Sequence, residues 1–200
     1  SLSAEYNTRV CRSRNIDGPY VDIHGNSAMG SAQLYPILTA PYRFDNSYGW
    51  VGISHCGIFD DGAGNWFYTS QGRFPVNVGG NEYSNAIMMG HVRSIRWDAN
   101  GWPLVMPERY GAVPQAPITE NEIAGDWEHL ALTNNTGTQR TSETMTYDLD
   151  THKITSGSWK NATWTFDAAT QTITTSAGVV LYLQREVDWE ASPRTHTIVY

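Results

Sequence analysis

Basic residues, long apolar runs and cysteine are all scarce in this chain. Each shortage argues against a class of function. Only 16% of the 200 residues are charged, with 20 Asp and Glu against 13 Lys and Arg, for a formal net charge of −7. Lys and Arg form no run, so no basic surface is available to neutralise a phosphate backbone. The composition therefore argues against nucleic acid as a partner.

Apolar runs do not exceed the length of a strand. The longest, such as residues 178–183, are far shorter than the roughly 20 residues that a membrane-spanning helix needs, so no membrane partner is expected. No basic segment followed by an apolar one opens the chain, and we expect any signal peptide to lie outside it. Residues 6–13 and 195–200 are strand-like up to the ends, so both ends are expected to be cut.

The two cysteines, Cys11 and Cys56, are too few for a disulfide framework. They form no CxxC pair, which argues against a zinc site or a redox motif. A single disulfide and two free thiols both remain open, and free thiols are favoured.

Aromatic residues are abundant, with eight Trp and eleven Tyr. Most of them are expected in the core, although aromatic faces also form the platforms on which sugar rings stack. Short β-prone runs at 8–12, 51–53, 58–59, 66–70 and 88–97 alternate with Gly, Asn and Asp clusters. Regular short strands with turn signals favour a sandwich, a barrel or a propeller.

The sequence pattern changes after residues 103–117, a segment that contains four prolines. Beyond it, period-two alternation at 143–149, 163–166 and 179–184 predicts an antiparallel barrel of small size. Thr119 followed three residues later by Glu122 predicts a capping box and at most one helical turn. The predicted domains are residues 1–113 and 117–200.

Three stretches resemble arabinanases of glycoside hydrolase family 43. Residues 6–22 (YNTRVCRSRNIDGPYVD) are similar to a segment R-V-x-R-S-x-x-I-x-G-P-Y-x-D that follows a strand in that family. Residues 52–61 (GISHCGIFDD) stand where the family carries Gly-His-Asn-Ser, and residues 94–110 (SIRWDANGWPLVMPERY) resemble its D-G-W-P-V-x-x-P-E-R-Y close. The Asn-Ser of the second motif is Cys56-Gly57 here.

The resemblance implies an all-β chain, comprising the last blades of a five-bladed β-propeller followed by a small antiparallel β-barrel or sandwich domain. In the family, inverting hydrolysis uses two carboxyl groups roughly 6.5–9.5 Å apart. These carboxylates belong to earlier blades, so no catalytic residue is expected in this chain. Asp60 and Asp61 are interpreted as turn formers, and Glu108 as the partner of a neighbouring Arg in an ion pair.

The resemblance also implies site residues. His55 corresponds to a histidine that ligates a hydrated metal, and we expect calcium there, with water filling the other positions because calcium prefers oxygen ligands. His91 and Arg93 share one strand face and are expected to contact substrate, as are the rings of Trp50 and Phe74.

We therefore expect the C-terminal portion of a secreted or periplasmic glycosidase that hydrolyses α-1,5-L-arabinan. Its partners would be arabinan or an arabino-oligosaccharide and the N-terminal half of the propeller, as a second chain or a missing segment. The isolated chain is expected to be inactive because the catalytic carboxylates lie outside it. It is also expected to need its partner, because two blades alone leave apolar surface exposed. The alternatives are a carbohydrate-binding module without hydrolysis and a purely structural β-module.

Overall fold

The computed structural model describes residues 5–30, 33–44, 47–134 and 137–200, and this part of the chain is almost entirely β-structure. The strands, in chain order, are β1 (Thr8–Arg9), β2 (Ile37–Thr39), β3 (Tyr42–Arg43), β4 (Gly57–Asp60), β5 (Trp66–Gly72), β6 (Met89–Trp97), β7 (Pro103–Val105), β8 (Gly125–His129), β9 (Arg140–Thr141), β10 (Glu143–Asp148), β11 (Lys153–Ile154), β12 (Trp164–Asp167), β13 (Thr172–Thr175), β14 (Val180–Tyr182), β15 (Gln184–Asp188) and β16 (Thr195–Val199). Two short 3-10 turns are present, η1 (Ser84–Ala86) and η2 (Glu120–Glu122). The predicted all-β class is confirmed.

The first half is built on a four-stranded antiparallel sheet with the order β4, β5, β6, β7. The predictions of strands at 58–59, 66–70 and 88–97 are confirmed, since β4, β5 and β6 occupy these ranges. Every second residue from Tyr68 to Gly72 in β5 and from His91 to Ile95 in β6 is buried, which is the pattern of strands that turn one face toward a core. Phe67 and Ser94, on the opposite face, are buried as well. This sheet is the frame that positions the candidate site.

The turn between β4 and β5 is formed by aspartate. The backbone N–H of Gly62 donates to Asp60, and that of Ala63 donates to Asp61 over 2.8 Å. The side-chain amide of Asn65 also donates to Asp61, over 2.7 Å. Asp is favoured in turns because its carboxylate can accept from nearby backbone amides. The interpretation of both aspartates as turn formers is confirmed.

Tyr68, in the middle of β5, organises the core of this half. Its side chain is fully buried and packs with Leu38 and Ile95. Its hydroxyl is hydrogen-bonded to the hydroxyls of Thr39 at 2.8 Å and Thr8 at 2.9 Å. A buried phenol needs such partners, and these bonds tie β1 and β2 to the four-stranded sheet.

Two of the predicted strands are wrong in extent. Of residues 8–12, Thr8 and Arg9 form β1, and Arg12 makes an isolated bridge to Val21. Residues 51–53 form no strand beyond an isolated bridge between Val51 and Arg73. In this second segment Gly52 has a φ of +66°, which a regular strand does not allow.

The second half folds around one apolar core. Two three-stranded antiparallel sheets, β11–β10–β8 and β12–β13–β14, are joined by a bridge between Lys153 and Thr163, and the hairpin β15–β16 completes the set. The buried core residues are Ile118, Ile123, Met145, Tyr147, Ile154, Trp164, Ile173, Leu181 and Leu183. Strands wrapped around a single apolar core are what the period-two alternation predicts.

The capping box at the start of this half is confirmed. The backbone N–H and the hydroxyl of Thr119 both donate to the Glu122 carboxylate, each over 2.9 Å. Arg185 adds an ion pair to the same carboxylate at 2.9 Å. Together these contacts stabilise the start of η2, the one helical turn that the sequence predicts there.

The chain divides into two compact units. The first contains the described residues up to Val105 and those of the segment 131–140, and the second contains residues 106–130 and 141–200. Across the described residues, no helix has the length and apolar character needed to cross a membrane.

Candidate functional site

Four side chains predicted to contact substrate meet at one end of the four-stranded sheet. The ring of His91 stands edge-on to Trp50, with ring centroids 4.3 Å apart, and Trp50 stacks on Phe74 at 4.7 Å with an angle of 19°. Arg93 follows His91 by two residues on β6 and therefore shares its face. His91 and Trp50 are buried, whereas Phe74 is only half-buried. Phe74 is thus the ring of the cluster that faces solvent most.

Arg93 determines how the proton is placed on His91. One guanidinium nitrogen of Arg93 lies 3.2 Å from Nδ1 of His91. A guanidinium has donors and no acceptor, so Nδ1 accepts and the ring proton is on Nε2. The other terminal nitrogen of Arg93 donates to the hydroxyl of Tyr42 over 3.0 Å. Arg93 is 1% exposed, so this fork of hydrogen bonds lies inside the protein.

Gly72, at the end of β5, makes room for the imidazole ring. A Cβ atom at this position would lie 2.5 Å from Cε1 and 2.9 Å from Nδ1 of His91. Such distances are far below van der Waals contact, so a larger residue would have to displace the ring. The next residue, Arg73, pairs with Val51 and brings Trp50 beside Phe74. The end of β5 therefore positions both the imidazole and the stacked rings.

His55 lies at the same end of the sheet but outside this cluster. The carbonyl of the preceding residue, Ser54, accepts from the backbone N–H of Gln71, which places His55 beside the end of β5. The side chain of His55 is exposed and contacts no hydrogen-bonding or charged group among the described residues. Calcium takes six to eight oxygen ligands, and one imidazole supplies a single nitrogen. The described residues fit a calcium ion here only if water or another segment supplies its remaining ligands.

Three carboxylates converge elsewhere, in the second unit. Oxygen atoms of Glu108, Asp188 and Glu190 lie within 4.8 Å of one another. Burial, and then the neighbouring charge of Glu190, raises the pKa of Glu108 to about 9. Glu108 is therefore protonated at neutral pH, and the group lacks the three negative charges that would attract a cation. The expected ion pair of Glu108 with an arginine is wrong, since Arg109 pairs with Glu190 at 3.5 Å.

The match to a known family covers residues 107–200, most of which lie in the second unit. Residues 107–200 match GH43_C, described as a C-terminal lipocalin-like domain. Over these residues the chain is similar to the GH43 C-terminal domain family. The resemblance to glycoside hydrolase family 43 that the sequence motifs indicate is thereby confirmed, and residues 107–200 are called the GH43 C-terminal domain below.

Two curated relatives are similar over a longer part of the chain. The extracellular endo-α-(1→5)-L-arabinanase of Thermotoga petrophila is 28% identical over 140 residues, which cover 62% of this chain and 28% of the relative. The extracellular endo-α-(1→5)-L-arabinanase 2 of Bacillus subtilis is 26% identical over 141 residues, with coverage of 62% and 29%. The chain thus spans less than a third of the length of the curated relatives it matches.

Solved structures show the same fold in longer proteins. The family 43 glycoside hydrolase YxiA of Bacillus licheniformis matches 99% of this chain and 47% of its own, with a TM-score of 0.79 and 22% identity. The endo-1,5-α-L-arabinanase of Thermotoga petrophila in complex with Tris matches 98% of this chain and 45% of its own, with a TM-score of 0.80 and 20% identity. At this level of identity the likeness concerns the fold alone.

Two residues of the site were missed by the sequence reasoning. Gly72 lies two residues beyond the predicted strand 66–70, and only the structure extends β5 to include it. An isolated glycine in a strand indicates close approach by another group, so a longer predicted strand would have pointed to it. Tyr42 carries no local signal, because its role depends on Arg93, which lies far along the chain and reaches its hydroxyl only in the folded protein.

Proposed function

We propose that this chain is the C-terminal portion of a secreted, inverting glycoside hydrolase that cuts α-1,5-linked L-arabinan. The observation that carries the proposal is the convergence of His91, Arg93, Trp50 and Phe74 at one end of the sheet. The polysaccharide is taken from the two curated relatives, which are named as extracellular endo-arabinanases. Their names also support secretion.

Within this proposal the four residues have different tasks. The half-buried ring of Phe74 stacks on an arabinose ring, and Trp50 supports it from behind. The Arg93–His91 pair presents a fixed array of donors to a substrate hydroxyl, or to a carboxylate of the remaining enzyme that has to stay ionised. Burial of the pair strengthens both interactions because water is excluded.

The catalytic carboxylates come from outside this chain. Inversion needs two carboxyl groups roughly 6.5–9.5 Å apart on either side of the scissile bond. Asp60 and Asp61 lie at the turn that begins β5, whereas the site lies where β5 ends. Glu108 is buried in the second unit. The N-terminal propeller portion, as a preceding segment or a second chain, is the partner that supplies the acid and the base.

His55 holds a hydrated calcium ion in the completed enzyme. Its exposed imidazole, at the same end of the sheet as His91, is oriented by a backbone φ of +55° that few residues adopt. Replacing His55 with Ala lowers arabinan cleavage and removes the response to a chelator. If His55→Ala leaves the rate and the chelator response unchanged, the metal has another site.

The test compares the chain alone with the chain joined to its N-terminal portion. Release of reducing ends from debranched arabinan is expected only from the completed protein. In that protein Phe74→Ala raises KM about tenfold, which corresponds to about 1.4 kcal/mol of stacking. Tyr83→Ala, which removes a 66% exposed ring from the segment that follows Phe74, leaves KM unchanged. Cleavage by the chain alone would contradict the placement of the carboxylates.

A binding module without hydrolysis is the second candidate, and the abundance of partly buried tryptophan in the second unit favours it. It predicts that the completed protein retains arabino-oligosaccharides but releases no reducing ends. Inactivity of the completed protein together with binding would replace the first proposal by this one.

A further inference from the structure

Polar residues occupy inward-facing positions at one end of the β8–β10 strand pair in the GH43 C-terminal domain. His129 lies opposite Glu143, and Trp127 lies opposite Met145, so all four share one face of the sheet. That face carries the fully buried Met145 and Tyr147, which belong to the core. A histidine and a glutamate on a core-facing side break the apolar pattern, and such breaks are expected at functional sites.

Four rings follow one another at this end, and together they are named the aromatic rim: Trp127, His129, Trp159 and Tyr200. The centroids of Trp159 and His129 are 4.5 Å apart, and Tyr200 stacks on Trp127 at 5.2 Å with an angle of 25°. His129 and Tyr200 are joined by a hydrogen bond of 3.1 Å between Nδ1 and the hydroxyl. The two tryptophans and Tyr200 are partly exposed, so the rim presents ring surface to solvent.

The rim also has unused hydrogen-bonding capacity. Among the described residues, neither Nε2 of His129 nor Nε1 of Trp159 has a hydrogen-bond partner. Next to the rim, the buried hydroxyl of Tyr147 lies beside the hydroxyl of Tyr200, which is its hydrogen-bonding neighbour. Burial lowers the pKa of His129, so its ring is neutral at pH 7 and can accept or donate at Nε2. Neither Nε2 of His129 nor Nε1 of Trp159 is fully buried, so both can exchange hydrogen bonds with a ligand that reaches the rim.

The chemistry of the rim selects a neutral, hydroxyl-rich ligand. Ring faces stack on the C–H faces of a sugar, and neutral ring nitrogens exchange hydrogen bonds with its hydroxyl groups. The carboxylate of Glu143, fixed by the backbone N–H of Ser158 over 2.9 Å, opposes an anionic ligand at the same end. An apolar ligand would leave the polar atoms unsatisfied, which costs free energy.

We propose that the aromatic rim of the GH43 C-terminal domain is a binding site for a neutral saccharide, separate from the substrate site of the first unit. The identity of the sugar, an α-1,5-linked arabino-oligosaccharide, rests on the proposed function. The rim thus binds the polysaccharide whose linkages the completed enzyme cuts. Binding through partly exposed rings is suited to a chain end or a side branch, which can approach the end of a barrel.

The test is fluorine NMR of the full chain labelled with 5-fluorotryptophan and titrated with linear α-1,5-arabinotriose. The chain has eight tryptophans, and single Trp→Phe variants assign their resonances. The resonances of Trp127 and Trp159 are expected to shift on binding, while those of Trp97 and Trp102 stay in place. Absence of a shift at Trp127 and Trp159 under millimolar arabinotriose overturns the proposal.

A shift at Trp50 without any shift at Trp127 or Trp159 also overturns it, although the proposed function of the first unit then stands. Tyr200→Phe keeps the ring and removes only the hydroxyl that orients His129, and it is expected to weaken arabinotriose binding at the rim five- to tenfold. Tyr182→Phe, at a partly exposed tyrosine of β14 in the same domain, is the matched control and leaves the affinity unchanged. Equal affinities for the Tyr200→Phe variant and the unaltered chain contradict the assignment.

Discussion

Arg93 donates to Nδ1 of His91 over 3.2 Å, from the same face of the same strand. Because only the histidine can accept, this contact selects one tautomer and points the ring proton away from the arginine. The same guanidinium holds Tyr42, so the imidazole is positioned through a planar fork and not through a single contact. The chemistry available at the end of the sheet follows from this pair.

The tautomer of His91 is directly measurable. At pH 8, nitrogen-15 shifts of the imidazole are expected to show a protonated Nε2 and an unprotonated Nδ1. Arg93→Lys replaces the fork by a single ammonium that cannot hold both His91 and Tyr42, and it should cost about 2–3 kcal/mol of unfolding free energy. Tyr42→Phe removes only the second acceptor, so the tautomer should persist. A proton on Nδ1 in the unaltered chain would refute the role given to Arg93.

Gly72 and Gly90 form a matched pair of strand glycines for a steric test. Neither requires a positive φ, but a Cβ at Gly72 would overlap the His91 ring, whereas at Gly90 it would meet nothing within 4 Å. Gly72→Ala is expected to lower the unfolding free energy by about 1–3 kcal/mol and to weaken arabino-oligosaccharide binding, because the ring must move. Gly90→Ala should stay within about 0.5 kcal/mol. Urea unfolding measures both, and equal stabilities would show that the ring has room.

The stability of the GH43 C-terminal domain should fall as the pH rises from about 4.5 to about 9. The pKa of Glu108 is about 9 in the folded chain against a usual 4.5, so the folded state binds the extra proton between these values. Stability from this group is complete below about pH 4.5 and is lost as the pH rises through 9, with a slope approaching about 1.4 kcal/mol per pH unit.

In Glu108→Gln the side chain keeps its size, and its amide can still donate a hydrogen bond to Glu190. Because glutamine cannot ionise, the variant should remove the dependence of stability on pH and be more stable than the unaltered chain at pH 9. Urea unfolding followed at 5-fluoro-Trp164, which is buried in the core of the domain, reports on this unit alone. Glu82→Gln, at an exposed glutamate, is the control and should leave the slope as it is. A slope that survives Glu108→Gln would place the titrating group elsewhere.

The two cysteines should behave as separate thiols of unequal reactivity. Both are free, with Cys56 exposed and Cys11 half-buried. Burial, with a smaller contribution from Asp22, raises the pKa of Cys11 and lowers its thiolate fraction. Iodoacetamide at pH 8 should therefore modify Cys56 at least about tenfold faster than Cys11. Mass spectrometry of the unaltered chain and of Cys56→Ser resolves the two rates, and equal rates would contradict this difference in exposure.

Local features of the fold were predictable because they depend on neighbours in the chain. The turn at Asp61 and the capping box of Thr119 and Glu122 form between residues two to four positions apart. The alternation over residues 143–149 becomes β10, whose buried residues are every second one. In each case the chemistry of a few adjacent residues is sufficient to select the backbone conformation.

Predictions failed or were absent where distant segments meet. Glu108 was expected beside an arginine and instead faces Glu190, because the approach of the two carboxyl groups and their burial arise only on folding. The described residues of the segment 131–140 belong to the first unit, where the N–H of Arg140 donates to the carbonyl of Pro41. No pattern within 131–140 indicates that pairing.

By itself, the sequence determined the all-β class, the resemblance to glycoside hydrolase family 43 and the identity of four residues that converge on one site. These follow from composition, from strand periodicity and from motifs, all of which are properties of contiguous residues. The tertiary structure alone decided that Trp50 stacks on Phe74, that Arg93 selects the tautomer of His91, and that the rings of Trp127 and Tyr200 meet at one end of the second unit. Such contacts join residues that are distant along the chain, and their distances and burial depend on how the strands pack against one another.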